Sequence, residues 1–337
     1  MTRSVTVSGL VNEFTGVGVL QRALYPRLEN LGFSLRVSDD REPRRPTFPG
    51  RVTALARALT SRPEAGGLYL STVNPFPLRP GQRAVSLVHD LQWMKTKTGI
   101  ERTYHDLDLR RTVARSQALI TITQRVHQDL VAFAPGARHK VTVHRLGPGI
   151  VDRPEYPRRT ARDVLLVGGA PHKRNELAAE MLVAAPDLFD RVVGVGVSDE
   201  VRRRCEEALG PARCVWQYRI PREELVEWLR HVWAFVLLGT DEGFGLPFIE
   251  ALASGAHVVA IDQPLTRELL DDAGVLLTES GPGDLAEQWR SRSSSLPTEE
   301  RRRARARDYS WDDFAAGVAH VLTEVAETPK GDGVPGR

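Results

Sequence analysis

The sequence of 337 residues contains little cysteine and no long apolar run. Its two cysteines, Cys205 and Cys214, are too few for a disulfide framework or a four-cysteine zinc site, so we expect ordinary reduced thiols. No segment approaches the ~18 apolar residues of a membrane-spanning helix. The N-terminal stretch MTRSVTVSGLVNEF also lacks the apolar core of a signal peptide. These absences predict a soluble, cytoplasmic protein.

The charge balance excludes further classes. Lys and Arg total 46 and Asp and Glu total 43, a formal net charge of +3, which over this length is no footprint of a nucleic-acid-binding protein. The run Arg301–Arg307 has no aromatic or glycine interleaving, and we interpret it as the solvated face of a helix that begins near Thr298. We expect no nucleic-acid partner, and membrane contact, through the basic loop Arg41–Arg51, is peripheral at most.

Short β-branched runs alternate with helix-length segments along nearly the whole chain. Several of these runs are apolar at both their odd and their even positions, as is typical of strands covered by helices on both faces. Such alternation predicts an α/β protein with parallel sheets built from βαβ units. The predicted strands are Val5–Ser8, Phe33–Val37, Leu68–Thr72, Ala84–Val88, Leu119–Thr123, Val141–His144, Val164–Val167, Val192–Val197, Val215–Tyr218, Ala234–Leu238, His257–Ile261 and Val275–Thr278.

The clearest domain boundary is the segment Gly147–Arg162, which is rich in proline, glycine and charge and has no periodicity. It predicts a first domain over residues 1–150 and a second over residues 160–305. After Gly281 the chain reads as mainly helical, and residues 328–337 are expected to form a disordered tail.

The segment Gly239–Ala260 carries the strongest chemical signal. Gly243 and Gly245 free the backbone for unusual dihedral angles, and Pro247 suits the first turn of a helix. A glycine turn that leads into a helix N-terminus is suited to bind a phosphate. Two carboxylates flank this turn, Glu242 and Glu250. Taken alone, the pair favours a structural explanation, in which Glu250 complements the helix dipole and Glu242 is solvated.

The whole string EGFGLPFIEALASG resembles the acidic motif of the family-four retaining glycosyltransferases. That resemblance implies the GT-B architecture, two Rossmann-like domains facing each other across a cleft, with the first domain binding the acceptor and the second the nucleotide sugar. It also implies that Glu242 orients the transferred sugar and that Glu250 binds the ribose. The backbone of Phe244, Gly245 and Leu246 would then hold the diphosphate.

A second stretch, VLLVGGAPHKRNEL at Val164–Leu177, resembles the basic phosphate loop of the same family. The resemblance implies that Lys173 or Arg174 neutralises the donor diphosphate. Many members carry a further basic residue where this chain has Gly169. Both cations are alternatively solvated residues at a helix start.

The first half of the chain matches the family more loosely. Gly16 and Gly18 resemble its N-terminal glycine loop, which lies over the donor phosphates, and His89 stands where a histidine often contacts the transferred sugar. A structural role for His89 is the alternative. The segment Trp311–Leu322 resembles the family's C-terminal helix, so a helix over about 311–327 is expected to cross back to the first domain.

Metal binding is not expected. Asp106 and Asp108 form a DxD sequence, but it lies inside a helical pattern that we interpret as a surface helix. A metal motif belongs on a loop that presents both carboxylates to one ion. Basic groups and a helix N-terminus can hold the phosphates without a metal, so we expect no cofactor besides the nucleotide sugar itself.

The resemblance therefore implies an enzyme that transfers a sugar from a UDP- or GDP-sugar to a hydroxyl of a small molecule or short glycan, with retention of configuration. The segment Leu91–Arg102 suits an acceptor loop, in which Trp93 either stacks on substrate or belongs to the core. The rival readings are a sugar-nucleotide epimerase or hydrolase, and a non-catalytic partner subunit. A dinucleotide dehydrogenase is disfavoured because neither half has the full glycine fingerprint.

Overall fold

The computed structural model describes residues 3–11, 15–38, 67–73, 82–149, 161–218, 220–240 and 242–328. Its residues cluster into two compact units. The first unit comprises residues 1–146 together with 311–337, and the second comprises residues 147–310. The proline-rich basic loop and the C-terminal tail expected from the sequence lie outside the described residues.

The first unit contains a parallel sheet of six described strands. In spatial order the strands are β2-β1-β3-β4-β5-β6. The order departs from chain order between β1 and β3, so this pair marks the topological switch point of the sheet. The strands are β1 Arg3–Val7, β2 Phe33–Val37, β3 Leu68–Ser71, β4 Arg83–Val88, β5 Ala118–Thr121 and β6 Val141–Val143.

The second unit contains another parallel sheet, in the order β12-β11-β10-β7-β8-β9. Read from its other edge, this is the 3-2-1-4-5-6 order of a dinucleotide-binding Rossmann fold, with the switch point between β7 and β10. The strands are β7 Val164–Val167, β8 Val192–Val195, β9 Cys214–Gln217, β10 Ala234–Leu237, β11 His257–Ile261 and β12 Val275–Leu277. Each predicted strand is present with its ends within two residues, and the predicted fold class is confirmed.

Helices connect the strands, and several begin at a residue whose hydroxyl accepts from a backbone amide of the first turn. Thr15, Thr123, Ser198 and Thr298 do so, which satisfies amides that lack an intrahelical partner. The helices are α1 Gly16–Asn30, α2 Trp93–Thr96, α3 Gly99–Arg115, α4 Gln124–Phe133, α5 Asn175–Ala184, α6 Asp199–Leu209, α7 Arg222–His231, α8 Leu246–Ala253, α9 Pro264–Leu270, α10 Pro282–Arg292, α11 Glu299–Arg307 and α12 Trp311–Glu327.

The arginine-rich helix α11 begins after Thr298, as the sequence predicts, but it is not wholly solvated. Arg302 is buried, and its Nε and Nη2 atoms donate to the Gly255 carbonyl over 3.0 and 2.8 Å. One member of the run is therefore a structural residue that fixes α11 to the loop before β11. Among the described helices, none is long and apolar enough to cross a membrane.

The last helix, α12, belongs to the first unit. Its inner face buries aromatic and aliphatic side chains, among them Trp311, Phe314 and Leu322. Polar contacts fix both ends: Arg27 Nε donates to Asp312 Oδ1 over 2.6 Å, and Arg83 Nη1 donates to the Ala326 carbonyl over 2.7 Å. The polypeptide thus returns to its first unit after completing the second.

Candidate active site

The loops that follow β7 and β10 define the candidate site. These strands are neighbours in the second sheet although β8 and β9 separate them along the chain. Parallel strands that diverge in this way leave a crevice at their carboxyl ends, where α/β proteins bind ligands. The loop after β7 carries Lys173, and the loop after β10 carries Glu242.

Lys173 and Glu242 form an ion pair across these two loops, with Nζ and Oε1 separated by 2.5 Å. Both side chains are largely buried, which strengthens the pairing over that of a surface salt bridge. Gly239 makes the approach possible, because a Cβ there would stand 2.5 Å from the His172 carbonyl oxygen. The structure therefore brings together two of the residues that the sequence singles out.

The glycine turn before α8 has the geometry that the sequence predicts. Gly245 adopts φ of +77°, a left-handed conformation that disfavours any larger residue, and a Cβ there would also press on the Phe248 ring. Pro247 lies in the first turn of α8, next to Leu246. The Phe244 side chain is buried against Tyr309, so only its backbone can face a ligand. An N-terminus built in this way is suited to an anion.

Glu250 is fully buried in α8 and has its own cation. Its Oε1 accepts a hydrogen bond from the Gly149 amide over 3.2 Å and pairs with the Arg222 guanidinium. Its Oε2 is buried and has no hydrogen-bond partner within the described residues. Glu250 is therefore more than a complement to the helix dipole, since a dipole contact needs neither burial nor an arginine.

Arg174 does not join the Lys173–Glu242 pair. It adopts φ of +53° at the start of α5, and its guanidinium pairs with the exposed Glu279 at 2.7 Å. Lys173 is therefore the cation that contacts the acidic motif, and which of the two cations contacts the donor diphosphate stays a prediction. At Gly169 a Cβ would stand 2.8 Å from the Gly196 carbonyl oxygen, so the backbone here leaves no room for the additional basic side chain.

In the first unit, the predicted glycine loop leads directly into α1. Gly16 is the first residue of the helix, and Gly18 donates its amide to Thr15 Oγ1 over 3.0 Å. A Cβ at Gly16 would meet no described heavy atom within 4 Å. Packing within the described part of the chain therefore does not require glycine at this position.

His89 directly follows β4 and is half-buried. Its Nε2 lies 2.7 Å from the Thr72 carbonyl oxygen, so this nitrogen must carry a proton and donate. Burial lowers the pKa of His89, which favours the neutral ring with Nδ1 as an acceptor. A neutral imidazole held in this tautomer can accept a hydrogen bond from a hydroxyl.

Sequence reasoning missed two residues, Arg222 and Gln21. Arg222 pairs with Glu250. Gln21 lies in α1, which begins at Gly16, and contacts Thr72, whose carbonyl oxygen accepts from His89. Oε1 of the Gln21 side chain accepts from the backbone N–H of Val11 over 2.8 Å, and its Nε2 donates to Thr72 Oγ1 over 2.9 Å. Neither residue belongs to a recognisable motif, and their partners lie 28 and 51 positions away, so the sequence offered no signal.

The DxD sequence is helical, as predicted, but only one of its acids lies at the surface. Asp106 pairs with Arg110 at 2.7 Å on α3. Asp108 is buried because it shares the inward face with Leu109 and Thr112, and burial raises its pKa to about 7. The two carboxylates therefore diverge. Among the described residues, no group of three acidic, histidine or cysteine side chains could hold a metal ion.

Trp93 opens the short helix α2, within the segment expected to be a loop, and it packs inward. Its ring stacks on His105 with centroids 5.6 Å apart and meets Phe133 edge-on at 6.1 Å. It lies against the buried cluster that contains Val88 and Leu109. Of the two alternatives that the sequence left open, the structure favours the core.

Two parallel sheets of six described strands each, with a last helix returning to the first unit, define an α/β protein of the GT-B type. Residues 170–323 match the model of the family described as Glycosyl transferases group 1. This segment contains Lys173, Arg174, Arg222, Glu242 and Glu250 of the candidate site.

Curated relatives match the chain at modest identity. A phosphatidyl-myo-inositol mannosyltransferase of Mycolicibacterium smegmatis is 29% identical over 196 residues, which cover 53% of this chain and 48% of the relative. A D-inositol 3-phosphate glycosyltransferase of Frankia alni is 29% identical over 189 residues, which cover 52% of this chain and 40% of the relative. The chain thus spans about half or less of the length of these two relatives.

Solved structures match over nearly the full length. HepE of Anabaena in complex with UDP-glucose superposes with a TM-score of 0.70 at 14% identity, covering 95% of this chain and 99% of that one. A sucrose-phosphate synthase from Thermosynechococcus elongatus superposes with a TM-score of 0.69 at 15% identity, covering 96% of this chain and 99% of that one. At such identities the likeness establishes the fold alone.

Proposed function

We propose that the chain transfers a sugar from a nucleotide-sugar donor to an acceptor hydroxyl with retention of configuration. The observation that carries the proposal is the Lys173–Glu242 ion pair at the switch point of the second sheet, close in sequence to a buried Glu250 with one unpartnered oxygen. The match of residues 170–323 to the model of glycosyl transferases group 1 supports the proposal. The two relatives are named for phosphatidyl-myo-inositol and for D-inositol 3-phosphate, which favours an acceptor that carries an inositol ring.

In the proposed reaction the protein supplies positioning and charge, and no protein nucleophile takes part. Lys173 and the backbone at Phe244, Gly245 and Leu246 stabilise the charge that develops on the leaving diphosphate. Glu242, held by Lys173, orients the sugar, and Glu250 binds the ribose. As the bond between the anomeric carbon and the diphosphate breaks, the acceptor oxygen bonds to that carbon on the same face. A phosphate oxygen of the donor takes the proton of the acceptor hydroxyl, and the nucleoside diphosphate leaves. His89, with Nδ1 as acceptor, is proposed to bind a hydroxyl of the transferred sugar.

The test is a panel of UDP- and GDP-sugars, incubated with and without acceptors such as inositol 3-phosphate. Transfer should appear as a glycosylated acceptor by mass spectrometry, and NMR of the product should show the anomeric configuration of the donor. Release of free sugar without transfer would identify a hydrolase, and interconversion of donors would identify an epimerase.

A non-catalytic nucleotide-sugar-binding subunit is the second candidate, and Gly169 is the observation that favours it. The backbone there excludes the basic side chain that many family members use. Binding of a nucleotide sugar with no turnover toward any acceptor would support this reading against the first.

We further propose that the reaction needs no metal ion, because Lys173 and the start of α8 already provide for the phosphates. Activity should survive excess EDTA unchanged. Loss of activity with EDTA, restored by manganese or magnesium, would contradict the proposal.

A further inference from the structure

Arg222 is the residue outside the recognised motifs with the closest contact to the candidate site. It opens α7, and its guanidinium pairs with Oε1 of Glu250. The carboxylate is 1% exposed, whereas the Arg222 side chain is 29% exposed and so reaches Glu250 from the solvent side.

Gly149 completes the arrangement. Its amide donates to the same Oε1, and a Cβ at this position would overlap the Arg222 guanidinium and stand 2.7 Å from Oε1. Three chain segments, Gly149, the start of α7 and the middle of α8, therefore meet at one carboxylate oxygen.

The physical need for a cation here is strong. A fully buried carboxylate loses its hydration, and it stays ionised only where a cation and hydrogen bonds replace the water. Arg222 supplies the cation and the Gly149 amide supplies a hydrogen bond, and the two groups act on the same oxygen. A planar guanidinium also restricts the rotation of the carboxylate group more than a flexible ammonium does.

The other oxygen, Oε2, is buried without a hydrogen-bond partner among the described residues. A buried carboxylate oxygen that lacks a donor is costly, so such an atom points to a donor that a ligand supplies. The hydroxyls of a ribose are donors of the required kind.

We infer that Arg222 is a positioning residue for nucleotide recognition: by holding Oε1, it turns Oε2 of Glu250 toward the ribose hydroxyls and so determines the preference for ribonucleotides over deoxyribonucleotides. The inference rests on the proposed function, in which Glu250 binds the ribose. It adds that this contact depends on a cation that never touches the nucleotide.

The experiment compares the affinities of UDP and GDP with those of their 2′-deoxy and 3′-deoxy counterparts, measured by calorimetry on the full chain. In the wild-type protein the ribonucleotide should bind about 10- to 100-fold more tightly than one deoxy form, as expected for a hydrogen bond to a charged group. In Arg222→Gln this ratio should fall to about threefold or less, while the affinity of the deoxy form stays within about twofold of wild type. Arg222→Lys should give an intermediate ratio.

Arg191→Gln provides a matched control. Arg191 also pairs with a largely buried carboxylate, Asp163 at 2.5 Å, but the pair lies at the amino ends of β7 and β8, opposite the candidate site. The ribose ratio should be unchanged in this variant. If Arg222→Gln does not fold, Arg222→Lys carries the test, and its ratio should lie below that of the wild type.

The outcomes separate the two ideas. If the wild-type protein binds neither UDP nor GDP, the proposed function fails. If it discriminates against deoxy forms but folded Arg222→Gln keeps the ratio, the inference alone is overturned. Tighter ribonucleotide binding in Arg222→Gln would also overturn it, because Arg222 would then be a cover that the nucleotide displaces.

Discussion

Seven residues separate Glu242 from Glu250 in the sequence, yet each carboxylate has a different cation and a different degree of burial. Lys173 pairs with Glu242, which keeps some contact with solvent, and Arg222 pairs with Glu250, which has none. Two acids held in separate environments can serve separate parts of one ligand. The difference supports the proposed division between sugar and ribose.

This division is tested by two isosteric substitutions. Glu250→Gln should weaken the binding of a nucleoside diphosphate by ~1.5–3 kcal/mol, because a hydrogen bond to a charged acceptor is lost. Glu242→Gln should not weaken that affinity, because Lys173 keeps its charge for the diphosphate, and it should lower turnover, since the proposed partner of Glu242 is the transferred sugar. Calorimetry with UDP or GDP, together with initial rates, measures both effects. Equal losses of nucleotide affinity in the two variants would contradict the division.

A substitution at Gly16 tests whether the donor phosphates approach this loop, because the new side chain would not disturb the packing of the described residues. Because a Cβ would meet no described atom within 4 Å, Gly16→Ala should fold normally and gain up to about 1 kcal/mol of helix stability. If donor phosphates approach this loop closely, the added methyl group should nevertheless raise the KM for the donor. Thermal unfolding and steady-state kinetics provide the two measurements. An unchanged KM would remove Gly16 from the proposed donor site.

At the scale of elements, α12 packs closely against the end of the first sheet. The His144 imidazole, just after β6, lies against Gly317 so closely that a Cβ there would overlap the ring. His144 Nε2 is buried and has no hydrogen-bond partner within the described residues. Burial lowers the pKa of His144, and the nearby His320 lowers it further.

The stability of this contact should depend on pH with a defined sign. The unfolded chain binds a proton at His144 before the folded chain does, so the stabilisation is complete above the unfolded pKa of about 6.5. It is lost as pH falls through that value toward the lower folded pKa. His144→Phe should therefore flatten the decline of the unfolding free energy below about pH 6.5. His89, whose pKa is also lowered, contributes with the same sign, so part of the decline should remain.

Urea denaturation at a series of pH values measures this effect. His231→Gln is the control, because His231 is exposed at the end of α7 in the second unit. A decline in His144→Phe as steep as in the wild type would show that the imidazole does not titrate on unfolding.

For the whole molecule, the chain completes its first unit only with its last described helix. Removal of residues 311–337 leaves every proposed donor contact in the sequence but exposes the surface that α12 covers, including its contacts with Arg27 and Arg83. We expect hydrogen exchange in residues 82–146 to accelerate strongly in the truncated protein, since those amides lose buried neighbours. Residues 161–218 of the second unit should keep their protection.

Unchanged protection across residues 82–146 would show that α12 contributes little to the first unit. A general loss of protection in both units would instead indicate that the truncated chain does not fold.

The sequence by itself determined the class of fold. Strands such as VLLV at Val164–Val167 and HVVAI at His257–Ile261 are short and apolar on both parities, and that pattern is local, so it can be read without a structure. The turn at Gly245 and the start of α8 were equally readable, because a left-handed glycine and a proline in the first turn are properties of single residues.

Only the tertiary structure decided which charged groups meet. Lys173 and Arg174 are adjacent and chemically alike, and the left-handed backbone at Arg174 sends one toward Glu279 while the other reaches Glu242. The Arg222–Glu250 pair, the burial of Asp108 and the closeness of His144 to Gly317 likewise depend on which segments the sheets and helices bring side by side. Periodicity reports how a segment packs against a core, whereas ion pairs between distant segments depend on strand order and loop path, which no local pattern records.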